Sequence, residues 1–411
     1  MTRAPLLTPV LLAGCAVILT GFAIRASFGV FQIPIAEEFG WPRAEFSLAI
    51  AIQNLAWGIG QPLFGALAEK VGDRKAIVGG AVLYALGLVL SAMATTPLQH
   101  QLLEILVGFG IAGTGFGVVL AVVGRSAAPE RRSMSLAVVT AAGSAGQVVG
   151  PPLSEWLLSL GMGWSEVFVL YAAAILLVLA VLPLMRSPRP ASRAELQQGM
   201  GEALRGALRD PSFALIFVGF FSCGYQLAFI TAHFPALVAE AAAPIAPGGL
   251  LASLGVTTPA ALGALAIAVI GLANIAGTLV AGWAGNVWPK KNLLALIYAG
   301  RTVAAAWFIL TPMTPGTVLA FSAVMGSLWL ATVPLTSGLV AHLYGLRYMG
   351  TLYGIVFLSH QLGAFVGVWL GGRLYDAFGS YALVWWVGVG AFSALVHLPI
   401  REAPRALPAA A

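Results

Sequence analysis

Arg25 lies deep in an apolar run that extends from Pro9 to about Phe31. A guanidinium at such depth can grip a carboxylate through parallel N–H donors, and low surrounding polarity strengthens the attraction. No Asp or Glu falls centrally in any apolar segment. An incoming anion is therefore the economical partner for Arg25, with backbone carbonyls and polar side chains as the alternative. Tyr353, Phe357, His360, Gln361 and Ala364 recur at a spacing that puts them on one helical face. His360 can bind a solute, carry a proton or help close a cavity, since neutral imidazole has one donor and one acceptor and titrates near neutrality. A satisfied packing histidine is the bland alternative. Gln53, Asn54 and Trp57 form a further set, as do Ser144 with Gln147 and Tyr225 with Gln226. Asn274, Trp329 and Thr332 are weaker additions, Trp329 being equally suited to filling a core. For any one of these, a hydrogen bond between helices competes with contact to a solute.

Only membrane helices can position these residues. Of 411 residues, 59% are hydrophobic and 9% charged, far from the charged surface of a water-soluble protein. A bilayer core of about 30 Å requires roughly 20 apolar residues per helix, and polar punctuation divides the chain into twelve such lengths. The first six are 9–33, 44–68, 76–96, 99–123, 133–158 and 164–185; the second six are 213–238, 260–285, 291–311, 315–341, 349–373 and 380–399. The first apolar run is too long for a signal-peptide core and lacks a small-residue cleavage region, so it reads as a retained span.

Seventeen of the 21 Lys and Arg fall in the loops on one side. Arg43 and Arg373 fall on the other, and Arg25 and Arg301 within spans. The positive-inside rule then puts the basic loops and both termini in the cytoplasm. Arg301 either snorkels to the basic interface or joins a network between helices. Glu104, Glu155 and His233 sit toward the outer ends. The net +6 has no basic run interleaved with exposed aromatics, so no nucleic-acid partner is expected. Cys15 and Cys223, each in an apolar stretch, provide neither a disulfide framework nor a metal site. No cofactor is expected either: there is no Walker pattern or HExxH pair, and GFGIAGTGFG lies within a span.

The longest polar segment, 186–212, separates residues 1–185 from 213–411 and reads as a cytoplasmic linker. Within it, Ser192 and Glu195 could cap an amphipathic helix running to Arg209 at the membrane surface. The insert AEAAAPIAPGGLLASLGVTTP suits an external loop or a re-entrant piece. A weak repeat relates Arg131–Trp156 to Tyr348–Arg373, 217 residues later, matching Gly146 to Gly363 and Gly150 to Gly367. The expected fold is an all-α integral membrane protein with twelve transmembrane helices in two pseudo-symmetric six-helix bundles.

The loop Gly65–Lys75, GALAEKVGDRK, resembles the glycine, acid and base pattern that follows span two in the major facilitator superfamily, with Glu69 where Asp is usual. The counterpart Gly282–Lys291, GWAGNVWPKK, has Asn286 where an acid would stand. The phrases FGVFQIPIAEEFGWPRAEFSLA, PLFGALAEKVG and LGGRLYDAFGSY are similar to the monocarboxylate and oxalate/formate transporter-like group. The resemblance covers essentially the whole chain. It implies alternating access, with Glu69, Asp73 and Arg74 helping to hold one conformation, unless the loop serves only to set topology. It also implies a basic residue that binds carboxylate, a role for which Arg25 is available. Span eight holds only Asn274 and Thr278 and no charge, which excludes the Asp/Arg pair some members use there.

The expectation is a non-enzymatic secondary transporter of a small monocarboxylate or related organic anion, with proton symport through His360. It would be functional as a monomer in a bacterial inner-membrane bilayer. Efflux of amphipathic compounds or drugs, and anion exchange, are the alternatives.

Overall fold

The computed structural model describes residues 6–128, 131–185, 199–345, 348–388 and 392–403. Ten of its helices are long and apolar enough to cross a bilayer. In order these are Pro9–Phe39, Asp73–Ser91, Pro97–Ser126, Met134–Ser159, Trp164–Leu184, Pro211–Ala241, Pro259–Ala284, Lys290–Leu310, Pro315–Tyr344 and Met349–Phe378. Arg43–Val71 is equally long but more polar, because Gln53, Asn54 and Gln61 are turned into the protein rather than toward lipid. The last crossing is formed by Ala382–Gly388 and Phe392–His397. The architecture is thus twelve spans, numbered one to twelve in chain order.

Five spans begin at a Thr-Pro or Asp-Pro dipeptide: Thr8, Thr96, Asp210, Thr258 and Thr314 each cap the helix whose first residue is the following proline. The side-chain oxygen takes an orphan N–H of the first turn, and proline fills a position whose own N–H would be left over. Span seven accordingly starts at Pro211, two residues earlier than expected. The preceding linker holds a short helix, Met200–Leu208, capped by Gly199 and burying Ala203 and Ala207. Ser192 and Glu195 lie outside the described residues. The insert after span seven carries one helical turn, Leu250–Ser253.

The glycines of the repeat perform the same task twice. Gly146 and Gly150 of span five lie against backbone of span one at Leu19 and Ala23. Gly363 and Gly367 of span eleven lie against backbone of span seven at Phe221 and Tyr225. A side chain at any of the four would collide with that backbone, so small residues set how closely these helices approach. The basic loops are fastened alike: the Arg74 Nε donates to the Met185 carbonyl at 3.1 Å, closing span three on span six. Lys291, again 217 residues on, donates to the Leu398 carbonyl at 3.0 Å, closing span nine on span twelve. The acid absent at Asn286 is supplied from farther along the chain. Glu402 accepts from the backbone N–H groups of Lys290 and Lys291 at 3.0 and 3.2 Å, at the start of span nine.

Two seams join the bundles. Span two runs antiparallel to span eleven over its whole length, with Ala44 and Ser47 beside Gly372, Gly58 beside Gln361, and Gly65 beside Gly350. Span five meets span eight, where Gly271 packs on Ser144 and Gln147.

Span ten is broken between Pro315–Leu328 and Thr332–Tyr344. In lipid, the freed backbone groups need partners from within the protein. Asn274 of span eight accepts from the Leu330 N–H at 2.8 Å, and its amide donates across the seam to Ser144 Oγ at 2.8 Å. Arg301 of span nine, fully buried, donates to the carbonyls of Leu328 and Trp329 and to Cys223 Sγ at 3.2 Å. Of the two expectations for Arg301, the network between helices is the one realised.

Replacing Asn274 with Leu strands the Leu330 N–H, and an unmade buried hydrogen bond costs about 1–3 kcal/mol. Asn274→Leu is therefore expected to lower unfolding stability in detergent by about that amount, with a smaller loss for Thr278→Val. An unchanged midpoint for Asn274→Leu would show that the break is satisfied by other means.

Candidate functional site

The centre of the molecule is a chain of stacked groups that crosses from one bundle to the other. Arg25 is carried on span one just before a 3-10 turn, Phe28–Phe31. Its Nη2 donates to Asn54 Oδ1 at 3.1 Å, and its guanidinium carbon lies 4.8 Å from the centre of the Trp57 ring. Trp57 meets Phe357 of span eleven at 4.8 Å, and Phe357 stacks nearly parallel on His360 at 5.2 Å. Phe220 of span seven meets both rings, His360 at 4.9 Å and Phe357 at 6.3 Å. Asn54 and Trp57 are one helical turn apart on span two, as are Phe357 and His360 on span eleven, so the two seam helices set this order.

Beside Arg25 lies a void of about 10 Å³ lined by Gln53, Asn54, Gly29, Ala228, Thr231 and Ala232, drawn from both bundles. It holds at most about one water. Arg25 Nε, His360 Nδ1, Tyr353 Oη, Gln147 Oε1, Gln226 Oε1 and both amide atoms of Gln361 are buried with no hydrogen-bond partner among the described residues. Buried polar groups are rarely left so. Of these, Arg25 lines that void and Gln226 a second one beside span twelve, so the six side chains are separate candidates for contact with a polar solute or water.

The remaining expected residues are engaged with protein. Gln53 donates to Glu104 Oε2 at 2.6 Å. Ser144 and Asn274 bond one another. Tyr225 Oη donates to the Val384 carbonyl at 3.0 Å and Gln226 Nε2 to the Gly388 carbonyl at 2.6 Å, both within span twelve. Each of these bonds joins two helices. Trp329 and Thr332 flank the break in span ten, Thr332 within 3.5 Å of Cys223 Sγ. His233 contacts the Val368 carbonyl at 2.8 Å.

Access differs between the two faces. Below the centre, a cavity of about 320 Å³ opens at the basic face, with Arg125, Asn286, Lys290 and His342 in its wall. Asp73 pairs with Arg125 at 2.6 Å and Arg74 binds carbonyls of span six, both within the first bundle. Glu69 instead reaches span eleven of the second bundle, its Oε1 3.5 Å from where a side chain on Gly350 would begin. At the opposite face Arg43 pairs with Glu240 of span seven through both terminal nitrogens and lies over the Tyr375 ring at 4.3 Å. Tyr375 Oη donates to the same carboxylate at 2.9 Å, and the Ala44 N–H to Asp376 at 3.0 Å. This latch was not anticipated as a unit. The usable signal was that Arg43 breaks the charge bias of the loops.

Two bundles joined along antiparallel seams, latched at one face and open at the other around a polar centre, define a membrane carrier. The sequence matches the Major Facilitator Superfamily over residues 13–358, and the chain belongs to that superfamily of transporters. Monocarboxylate transporter 13 of Bos taurus is 27% identical over 402 residues, covering 94% of this chain and 88% of that protein. Multidrug resistance protein MdtH of Aeromonas hydrophila is 27% identical, covering 84% and 82%. Among solved structures, the E. coli fucose:proton symporter FucP superposes with a TM-score of 0.62 over 94% of this chain and 96% of that one, at 15% identity, a likeness of fold. The chain is accordingly a multi-pass membrane transporter and not an enzyme, and within the superfamily it is similar to the monocarboxylate group.

The latch is half-exposed, so its ion pair contributes at most about 1 kcal/mol, enough to shift two conformations close in energy several-fold. Arg43→Gln is expected to raise labelling of a Thr231→Cys reporter from the opposite face by about threefold to fivefold. Labelling equal to that of the same reporter without the Arg43 change would mean the latch does not hold this face shut.

Proposed function

We propose that the protein carries a small monocarboxylate or related organic anion by alternating access, coupled to protons. The observation that supports this is the state of Arg25. Among the described residues it makes one hydrogen bond, to Asn54, and rests on a tryptophan face, whereas Arg301 at similar depth is saturated by carbonyls and a thiol. A carboxylate suits the remaining Arg25 donors once the seam opens beyond the one-water void of this state, with Gln361 and Tyr353 completing the site from span eleven and His360 carrying a proton beside it. The name of the bovine relative agrees with that solute class.

In this reading residues 1–185 and 213–411 rock as two bundles joined by 186–212, the basic face and both termini lying in the cytoplasm of a bacterial inner membrane. Asp73 and Arg74 stiffen the first bundle, and Glu69, touching the second, biases the conformation. The centre is built within one chain, so a monomer suffices. A second reading, efflux of an amphipathic compound, draws on the Trp57, Phe357 and Phe220 rings and on the relative named for multidrug resistance.

A charge-assisted hydrogen bond is worth about 1.5–3 kcal/mol. Arg25→Gln is therefore expected to weaken carboxylate counterflow in proteoliposomes by roughly 10-fold to 150-fold. Arg25→Lys keeps the charge without the planar fork and should fall between. Parental counterflow by a correctly inserted Arg25→Gln protein would refute the site, and flux of apolar cations with no response to carboxylates would establish the second reading.

A further inference from the structure

We propose that the cavity at the basic face is a collecting vestibule for the organic anion, so that the carrier is half-saturated from that face at a lower concentration than from the opposite one. With the basic face in the cytoplasm, this sets the protein for export. The inference rests on the carboxylate reading of Arg25 and adds to it the side from which the anion is loaded.

The cavity of about 320 Å³ has the room of a small-ligand site, whereas the void beside Arg25 admits about one water in this state. An anion arriving at the basic face therefore occupies the cavity first. Basic residues reach its wall from both bundles: Arg125 on span four, and Lys290 and His342 on spans nine and ten. Gly338 leaves room for the Lys290 stem, whose Cε lies 3.4 Å from where a side chain there would begin. Arg125 is shared with Asp73 at 2.6 Å and Lys290 with Glu402 at 3.7 Å, but the loops of this face carry seventeen Lys and Arg against seven of the 15 acids. The wall also leads inward. Met349 lines the cavity, and Tyr353 lies one turn deeper on the same face of span eleven. Leu136 lines it too, with Thr140, Ser144 and Gln147 at successive turns of span five. Tyr353 Oη and Gln147 Oε1 are two of the buried atoms with no hydrogen-bond partner among the described residues.

The opposite face is built the other way. It holds seven acids and two bases, Arg43 and Arg373, and the latch commits Arg43 to Glu240. Four of the other acids are held by neutral donors: Glu38 by the Trp164 Nε1–H at 2.6 Å, Glu45 by Gln101 at 2.7 Å, Glu166 by the Gly163 N–H at 2.9 Å and Asp376 by the Ala44 N–H at 3.0 Å. A neutral donor fixes a carboxylate without cancelling its charge. This face therefore repels an incoming anion while the basic face draws one in. A field of one sign over a mouth changes association rates by about 10-fold to 1,000-fold, and salt removes the effect. Gradients still decide net flux; the charges decide the concentration at which each face fills.

The test is counterflow of labelled acetate or lactate through the full-length protein in right-side-out and everted membrane vesicles, with no imposed gradient. Potassium chloride takes the ionic strength from about 0.01 to about 1 M, which shortens the screening length from about 30 to about 3 Å. At low ionic strength, half-saturation at the basic face should lie about tenfold below that at the opposite face. Salt should move the two in opposite senses, raising the first and lowering the second until they agree within about twofold. Lys290→Glu should raise half-saturation at the basic face by about threefold to tenfold at low ionic strength and by less than about twofold at high. Lys290→Arg, which keeps the charge, should retain the asymmetry. A structural role for Lys290 would not respond to salt in this way. Should Lys290→Glu fail to insert, the parental salt profile decides. Equal half-saturation at the two faces, a lower value at the opposite face, salt shifts of the same sign at both, or a parental salt profile in Lys290→Glu overturns the proposal. Absence of carboxylate counterflow at both faces overturns the Arg25 reading, and is told apart because no half-saturation is then there to compare.

Discussion

A guanidinium at bilayer depth must be satisfied from within the protein, because lipid offers neither hydrogen bonds nor counter-charge. This chain meets that requirement in two different ways. Arg301 is surrounded by the carbonyls that the break in span ten releases, and it stabilises that break as much as the break stabilises it. Arg25, at the seam between the bundles, has one side-chain acceptor and an aromatic face. The first arrangement is complete as it stands. On the proposed function the second is completed by an anion, and the rest of the molecule is what delivers one to it.

Delivery requires that the seams open without exposing backbone to lipid. Span two shows how the chain achieves this: it is long enough to cross the membrane yet carries Gln53, Asn54 and Gln61 because it faces protein on both sides of the seam. Its small residues meet span eleven at Gly350 and Gly372 near the two ends, so a modest tilt can separate either end in turn. In the state described, the Arg43–Glu240 latch closes one end while the cavity at the other remains open. Ser144 and Asn274 tie the second seam to the broken helix, joining the movement of the bundles to the backbone of span ten.

Much of this was legible in the sequence where the bilayer itself imposes the pattern. Span lengths, the basic loops and the glycines recurring 217 residues apart all follow from thickness, charge and close packing. Arg25 stood out because a charge at that depth needs a reason. What could not be read were pairings between distant helices. The break at Trp329 is signalled only by Pro334, whose ring displaces the Leu330 carbonyl one turn back. That proline is no more conspicuous than Pro62 or Pro235 within unbroken spans, while the stabilising groups come from spans eight and nine. Gln53 and Asn54 are adjacent and equally polar, yet one turns to Glu104 and the other to Arg25. Glu402 replaces an expected acid from the far end of the chain.

On the proposed function Arg25 selects negative charge rather than shape or apolarity. Thermal unfolding of the purified parental protein measures this directly, comparing acetate and lactate with ethanol and propane-1,2-diol at equal concentration, with chloride as the control for ionic strength. A concentration-dependent rise in the unfolding midpoint with the carboxylates, absent with the alcohols and chloride, is the predicted result. Equal shifts for carboxylates and alcohols, or no shift with any carboxylate, would contradict it.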